Sequence, residues 1–127
     1  MSWGPQFQND QYYHSKWLLI VNVMKNSNLR ISRIAPAGSR ATHRHRLDSD
    51  MDVIFATAGN PSRELFYPQL IPILRRNFPS DKIYPGGQYH VVHLDFNTGG
   101  KFDLVLLSEY DFDREHQDIL QYRRDHL

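Results

Sequence analysis

The stretch of residues 38–55, GSRATHRHRLDSDMDVIF, decides the fold of this chain. It begins with a turn of small residues, continues through a basic segment and ends with an Asp-x-Asp pair that opens an apolar run. Successive side chains of a strand point to opposite faces, so a strand over residues 50–55 puts Asp50 and Asp52 on one face. The opposite face then carries the apolar residues Met51, Val53 and Phe55.

Two neighbouring carboxylates at a strand end repel each other unless a cation joins them. Hard divalent cations such as Mg²⁺ take oxygen ligands and usually share them with substrate phosphates. The region 30–46, which precedes the acids, contains five arginines and two histidines but no acid: Arg30, Arg33, Arg40, His43, Arg44, His45 and Arg46. This adjacency of cations and carboxylates predicts a metal and nucleotide site. The alternative interpretation is a solvated polar loop, which is what most charge runs are.

The motif made by Gly38-Ser39, ten further residues and Asp50-x-Asp52 resembles the signature of the nucleotidyltransferases related to DNA polymerase β. Residues 29–37 resemble the first strand of that family, which leads directly into Gly-Ser. Residues 99–107 resemble the turn and strand that carry the third carboxylate of the family. The resemblance extends over roughly residues 15–113. As a motif match, it is a hypothesis to be tested by its structural context.

The resemblance implies that Asp50, Asp52 and Asp103 are the catalytic residues and hold two Mg²⁺ (or Mn²⁺) ions. Asp103 lies between apolar neighbours on an expected interior strand, where a lone carboxylate is costly unless it is paired or bound to a metal. By the pattern of the family it would also act as the general base. Asp95 is the alternative third carboxylate.

The nucleotide contacts implied by the same resemblance are Gly38, Ser39, Arg40, Thr42 and Arg44. The histidines do not support a zinc site, because His90 and His93 are three residues apart and therefore on opposite faces of a strand. His43 and His45 could share a face, but two imidazoles without a third convergent ligand are weak evidence for zinc.

The resemblance implies an α/β (α+β) fold with a polymerase β-like core, in which a mixed, twisted sheet of about four to five strands has helices packed on one side. One domain over residues 1–127 is expected, since the chain is too short for two. The predicted elements are an amphipathic helix over 8–26, a strand over 29–37, a strand from residue 50, a helix that begins near Pro68 and is kinked or shortened by Pro72, a β-hairpin over 88–108 and a helix over 112–127.

Composition excludes several kinds of protein. The chain has no cysteine, so disulfides, thiolate metal sites and cysteine nucleophiles are absent. The net charge of +1 argues against a strongly electrostatic nucleic-acid binder. The longest strongly apolar stretch, residues 17–23, is far shorter than a membrane span, and the N-terminus lacks the pattern of a signal peptide. A cytoplasmic protein that does not associate with membranes is expected.

The resemblance implies transfer of a nucleoside monophosphate from an NTP, with ATP as the favoured donor, to a hydroxyl of an RNA 3′ end or another nucleotide. The predicted hairpin resembles the corresponding part of enzymes in the template-independent branch of the family. This branch includes CCA-adding enzymes, poly(A) and terminal uridylyl transferases, and oligoadenylate and cyclic-oligonucleotide synthases. Those relatives carry a second, helical domain. We therefore expect this chain to be a minimal single-domain form or a catalytic core. We also expect it to form a homodimer or to bind a partner protein.

Two other functions remain open at this point. Minimal nucleotidyltransferases with the same signature act as antitoxins that transfer AMP to a partner protein. A non-catalytic nucleotide- or RNA-binding module is the third possibility, with a contact surface made by the basic segment and the aromatic residues Tyr12, Tyr13 and Trp17.

Overall fold

The computed structural model describes residues 9–87 and 90–126. Its elements in chain order are α1 (Asp10–Lys25), β1 (Ile31–Ala37), α2 (Gly38–Ala41), β2 (Met51–Thr57), α3 (Arg63–Asn77), β3 (Lys82–Pro85), β4 (Val92–Asp95), β5 (Lys101–Leu106) and α4 (Glu109–His126). The predicted α+β class is confirmed. Residues 8, 88 and 127, at which three predicted elements begin or end, lie outside the described residues.

The five strands form one mixed sheet in the order β1-β2-β5-β4-β3. Its centre is the parallel pair of β2 and β5, and every other neighbouring pair is antiparallel. Strands β4 and β5 are joined by the tight turn that the sequence predicts at residues 97–100. The mixed sheet of about four to five strands is therefore confirmed, and the hairpin forms its β4–β5 part.

Consecutive apolar residues of the central strands supply both faces of the sheet. Val53 and Phe55 of β2 join one hydrophobic cluster with residues of α1 and α3, such as Ile20 and Leu70. Ile54, which lies between Val53 and Phe55, belongs to a second cluster that includes Phe112 and Ile119 of α4. Helices therefore cover both faces, and the prediction that they pack on one side is wrong. The reason is that β2 is apolar at consecutive positions, not only at alternate ones.

Helix α3 begins five residues earlier than predicted and continues through both of its prolines, Pro68 and Pro72. The two prolines are four residues apart, so they lie on the same side of the helix, and both are exposed. Each ring removes the N–H donor for the carbonyl four residues earlier, that of Glu64 or Pro68, and because both of these residues are exposed, water can bind the freed oxygen. The opposite side of α3 supplies buried residues such as Phe66 and Leu74, and this burial maintains the helix.

Strand β3 and the start of α4 also differ from the prediction. Strand β3 lies where only a connection between Pro79 and Gly87 was expected; its pairing with β4 and the burial of Ile83 stabilise it. Helix α4 begins at Glu109, three residues before the predicted start. Ser108 explains the earlier start, since its Oγ accepts a hydrogen bond from the N–H of Asp111 and thereby caps the helix.

The aromatic residues of α1 belong to the core of the molecule. Tyr13 is buried, and Tyr12 and Trp17 pack against the same hydrophobic cluster. The Tyr12 hydroxyl also donates a hydrogen bond to the carbonyl of Gly99 in the β4–β5 turn. These contacts argue against a binding surface made by the three aromatic residues. Within the described residues, no helix is both long enough and apolar enough to cross a membrane.

We expect Pro72→Ala to stabilise the protein, because alanine restores the N–H that the helix lacks at this position. A proline inside a helix costs about 3 kcal/mol, and the greater freedom of alanine in the unfolded chain returns about 1 kcal/mol of this. The free energy of unfolding should therefore rise by about 1–2 kcal/mol in urea titrations. Pro61→Ala is the control, since Pro61 precedes the helix. A lower free energy of unfolding for Pro72→Ala would contradict this explanation of α3.

Candidate active site

The two central strands bring Asp52 and Asp103 together. Asp52 is the second residue of β2 and Asp103 the third residue of β5, and the parallel register makes them direct neighbours. Both side chains point to the face opposite Val53 and Phe102 and are partly buried. Asp50 immediately precedes β2 and is exposed. The structure thus has the three predicted carboxylates at one edge of the parallel pair, with Asp52 and Asp103 as its centre.

The electrostatics of this edge favour a cation. Burial raises the pKa of Asp52 to about 6, and the negative charges of Asp103, Asp50 and Glu115 contribute to the rise. Burial and then Asp103 also raise the pKa of Asp50. A divalent cation would offset this concentration of negative charge, and carboxylate oxygens are ligands that Mg²⁺ prefers.

Gly38 lies against the Asp52 carboxylate. A Cβ atom at position 38 would collide with Oδ2 of Asp52, and the φ of Gly38 is +68°, a conformation that other residues rarely adopt. Ala37, the last residue of β1, is the direct partner of Asp52 in the antiparallel register. Strand β1 therefore delivers the Gly38-Ser39 turn to the same edge of the sheet as the carboxylates.

The environment of Arg40 differs from the prediction that this residue contacts nucleotide. Its side chain is 0% exposed, and its guanidinium donates to the carbonyls of Ser49 and Leu47 and to the Asp10 carboxylate. The guanidinium carbon also lies 3.6 Å from the centre of the Tyr13 ring. Arg40 therefore fixes the loop that leads to the Asp-x-Asp pair, and a nucleotide contact is incompatible with this burial.

The other predicted nucleotide residues lie along the same turn. Ser39 is half-buried beside Gly38. Thr42 is buried, donates a hydrogen bond from Oγ1 to the Gly38 carbonyl and accepts one from Nε of Arg44 at 3.0 Å. The guanidinium carbon of Arg44 lies 4.5 Å from the centre of the Tyr122 ring of α4. Thr42 thus supports the turn from within, and phosphate binding by Ser39 and Arg44 stays a prediction.

His93 is a residue of this site that the sequence analysis did not assign to it. It lies opposite Asp103 in the antiparallel register of β4 and β5, with its Nδ1 2.6 Å from Oδ1 of Asp103. The register of the hairpin could have revealed this pair. Asp95, the alternative third carboxylate, accepts a hydrogen bond from the Tyr84 hydroxyl instead and lies opposite Lys101 in the register of β4 and β5.

Solved structures of two kinds of enzyme resemble this chain. Terminal uridylyl transferase 4 from Trypanosoma brucei with bound GTP aligns over 90% of this chain and 34% of its own, with 15% identity and a TM-score of 0.68. The CD-NTase CdnG of Bradyrhizobium diazoefficiens in complex with GTP aligns over 75% of this chain and 31% of its own, with 16% identity and a TM-score of 0.59.

A third structure is the CdnE cyclic dinucleotide synthase of Elizabethkingia meningoseptica with GTP and Apcpp. It aligns over 75% of this chain and 36% of its own, with 14% identity and a TM-score of 0.58. The chain has a polymerase β-like nucleotidyltransferase fold. This fold was predicted from the residues that now lie at the edge of β2 and β5.

The nucleotidyltransferase fold of this chain spans about a third of the length of these structures, 31–36% of each. No protein-family model matches the sequence, and no curated protein is similar to it. The likeness is therefore one of fold.

We expect Arg40→Met to destabilise this nucleotidyltransferase fold by about 3–5 kcal/mol, because it leaves the buried Asp10 carboxylate without its guanidinium partner. Urea unfolding measures the change. Arg46→Met is the matched control: Arg46 is exposed, and its loss should change the free energy of unfolding by less than about 0.5 kcal/mol. Unchanged stability of Arg40→Met together with weaker NTP binding would restore the original prediction for this residue.

The raised pKa of Asp52 predicts a pH-dependent cost to the fold. The folded-state pKa of about 6 exceeds the unfolded value of about 3.9, so the stability that the protonated carboxyl contributes is lost as the pH rises through about 6. Without metal, Asp52→Asn should therefore be more stable than the unaltered protein at pH 8, by on the order of 1–2 kcal/mol after allowance for solvent screening. The difference should shrink by pH 4.

Urea unfolding at both pH values tests this expectation. Asp48→Asn is the control, because the Asp48 side chain is exposed on the loop before β2. An equal advantage of Asp52→Asn at pH 4 and pH 8 would mean that the carboxylates do not interact as described.

Proposed function

We propose that this chain is the catalytic unit of a metal-dependent, template-independent nucleotidyltransferase, which transfers a nucleoside monophosphate from an NTP to a hydroxyl acceptor and releases pyrophosphate. The observation that supports it most strongly is the direct adjacency of Asp52 and Asp103 on β2 and β5, beside the Gly38-Ser39 turn. A binding module has no need for negative charge beside a phosphate site, whereas a metal-dependent transferase requires it.

The carboxylates suit Mg²⁺ or Mn²⁺. Asp52 and Asp103 provide two neighbouring oxygen donors, and their crowded charges are the ones that a divalent cation neutralises. Among the described residues, no three acidic, histidine or cysteine side chains are yet arranged as a metal cage. Asp50, which is exposed and immediately precedes β2, would be the third carboxylate ligand beside Asp52 and Asp103. Bound Mg²⁺ would link the triphosphate to the carboxylates and lower the pKa of the attacking hydroxyl.

The other residues of the site have separate roles in this reaction. The Gly38-Ser39 turn lets backbone N–H groups approach the triphosphate closely, because glycine has no side chain in the way. The acceptor hydroxyl oxygen forms a bond to the α-phosphorus, and the bond to the leaving pyrophosphate oxygen breaks in line with it. The hydroxyl proton passes to the Asp103 carboxylate, which acts as the general base. No covalent intermediate with the protein is needed.

The acceptor that we propose is an RNA 3′ end or another nucleotide, with ATP as the favoured donor. Two of the similar structures are described as a terminal uridylyl transferase and a cyclic dinucleotide synthase, and both contain nucleotides. In this sheet α4 packs over β1 and β2, and β4 carries the polar residues His93 and Asp95 on the face of Asp103. A homodimer or a partner protein would supply further acceptor contacts.

The proposal predicts that α-labelled NTP and Mg²⁺ give labelled product with an RNA oligonucleotide or with nucleotide alone. Asp52→Asn and Asp103→Asn should each lower the rate by on the order of 10³-fold, because each removes a metal ligand but preserves side-chain shape. Separation of products by gel and thin-layer chromatography measures transfer and identifies the acceptor. Comparison of the four NTPs identifies the donor.

Asp48→Asn is the control, since it removes an exposed carboxylate of the preceding loop and should leave the rate unchanged. Full activity of Asp52→Asn or Asp103→Asn would refute the assignment. Label on a co-purified protein instead of a nucleotide would favour protein AMPylation. Intact NTP binding without transfer in the unaltered protein would favour the binding module.

A further inference from the structure

The imidazole of His93 occupies a defined place beside the catalytic edge. Its neighbours along β4, Val92 and Leu94, are buried in the core, so the His93 side chain points to the face that carries Asp103. The two side chains are only 27% and 19% exposed, and their hydrogen bond has a length of 2.6 Å. A contact of this length and burial limits the orientation of both groups.

The His93 ring is itself held in place by β3. Tyr84 is its direct partner in the antiparallel register, and the two ring centres lie 4.8 Å apart. The Tyr84 hydroxyl donates to Oδ2 of Asp95 at 3.0 Å, which fixes the tyrosine ring in turn. On another side, a Cβ at Gly86 would lie 3.3 Å from Nε2 of His93, so the backbone approaches the imidazole closely there.

The hydrogen bond has a definite direction when Asp103 is ionised. An ionised carboxylate only accepts hydrogen bonds, so Nδ1 of His93 carries the proton and donates it to Oδ1. This engages one oxygen of Asp103 and leaves Oδ2 for a metal ion or an acceptor hydroxyl. Without His93, the carboxylate could rotate about its χ angles and present either oxygen, or neither, to the site.

We propose that His93 is a positioning residue that sets the orientation of the Asp103 carboxylate for metal binding and proton transfer. The inference rests on the proposed nucleotidyl transfer, since it assigns Asp103 its task through that reaction. Tyr84 and Asp95 form the outer part of the same arrangement. Such outer groups orient a metal ligand, and their loss typically lowers metal affinity or activity about 10–100-fold.

Two amide substitutions at His93 test whether the position of the hydrogen-bond donor matters, or only the presence of a polar side chain. In His93→Asn, the amide nitrogen reaches the place of Nδ1 and can still donate to Asp103. In His93→Gln, the nitrogen reaches the place of Nε2 and points away from it. We expect His93→Asn to retain kcat within about threefold, and His93→Gln to lose about 10–100-fold in kcat with little change in the KM for NTP.

A second readout does not depend on activity. Free Mn²⁺ is measured by electron paramagnetic resonance as it is titrated into the protein with a non-hydrolysable NTP analogue. His93→Gln should bind Mn²⁺ about tenfold more weakly than His93→Asn and the unaltered protein. His126→Gln, an exposed change at the end of α4, is the control, and thermal unfolding verifies that each variant is folded.

The outcomes distinguish this inference from the proposed function. Equal Mn²⁺ affinity in His93→Asn and His93→Gln would overturn the positioning role, whether or not the unaltered protein transfers nucleotide. Equal losses in both variants would overturn it too, because the place of the donor would then not matter. Absence of transfer by the unaltered protein, with the predicted difference in Mn²⁺ affinity, would refute the proposed function and leave only the orientation of Asp103 for metal binding in place.

Discussion

The structure depends on one costly arrangement, the parallel pairing of β2 with β5 that holds two carboxylates side by side. Parallel neighbours bring equivalent ends of two strands to the same edge of a sheet, so Asp52 and Asp103 cannot separate without loss of the central register. Burial, and after it the negative charge of Asp103, raise the pKa of Asp52 to about 6. The apolar faces of both strands maintain the pairing, because they are buried between helices on either side.

Buried polar contacts hold the segment before β2 in place. A buried ion pair of Arg40 with Asp10, and a hydrogen bond between His45 and the same carboxylate, anchor the loop from α2 to the Asp-x-Asp pair. Burial of charge contributes little to net stability when it is fully paired, but it fixes one arrangement among many. Here it fixes the path of a polar loop that has few apolar contacts of its own. The buried Arg40 thus gives part of the basic character of this segment a structural cause.

Much of this fold could be predicted from the sequence because local chemistry and tertiary structure agree. The Gly38-Ser39 turn and the alternation through Asp52 predicted the central strands, and their parallel register makes Asp103 the direct neighbour of Asp52. Arg40 was misinterpreted because a charged residue in a basic run gives no sign of its burial. The predicted α3 is shorter than the observed helix, because helix propensity carries no information about which side of the helix, that of Pro68 and Pro72 or the opposite one, faces solvent. His93 was missed because its role depends on cross-strand register.

The close approach of Gly38 to Asp52 restricts how this sequence can diverge. A larger residue at position 38 has to overcome both the left-handed backbone and the collision with the carboxylate. A smaller residue at position 52 would remove the collision, but it would also remove the carboxylate itself. Neither change can compensate for the other in a single step. Glycine is therefore the residue that position 38 accommodates without strain for as long as position 52 carries a carboxylate.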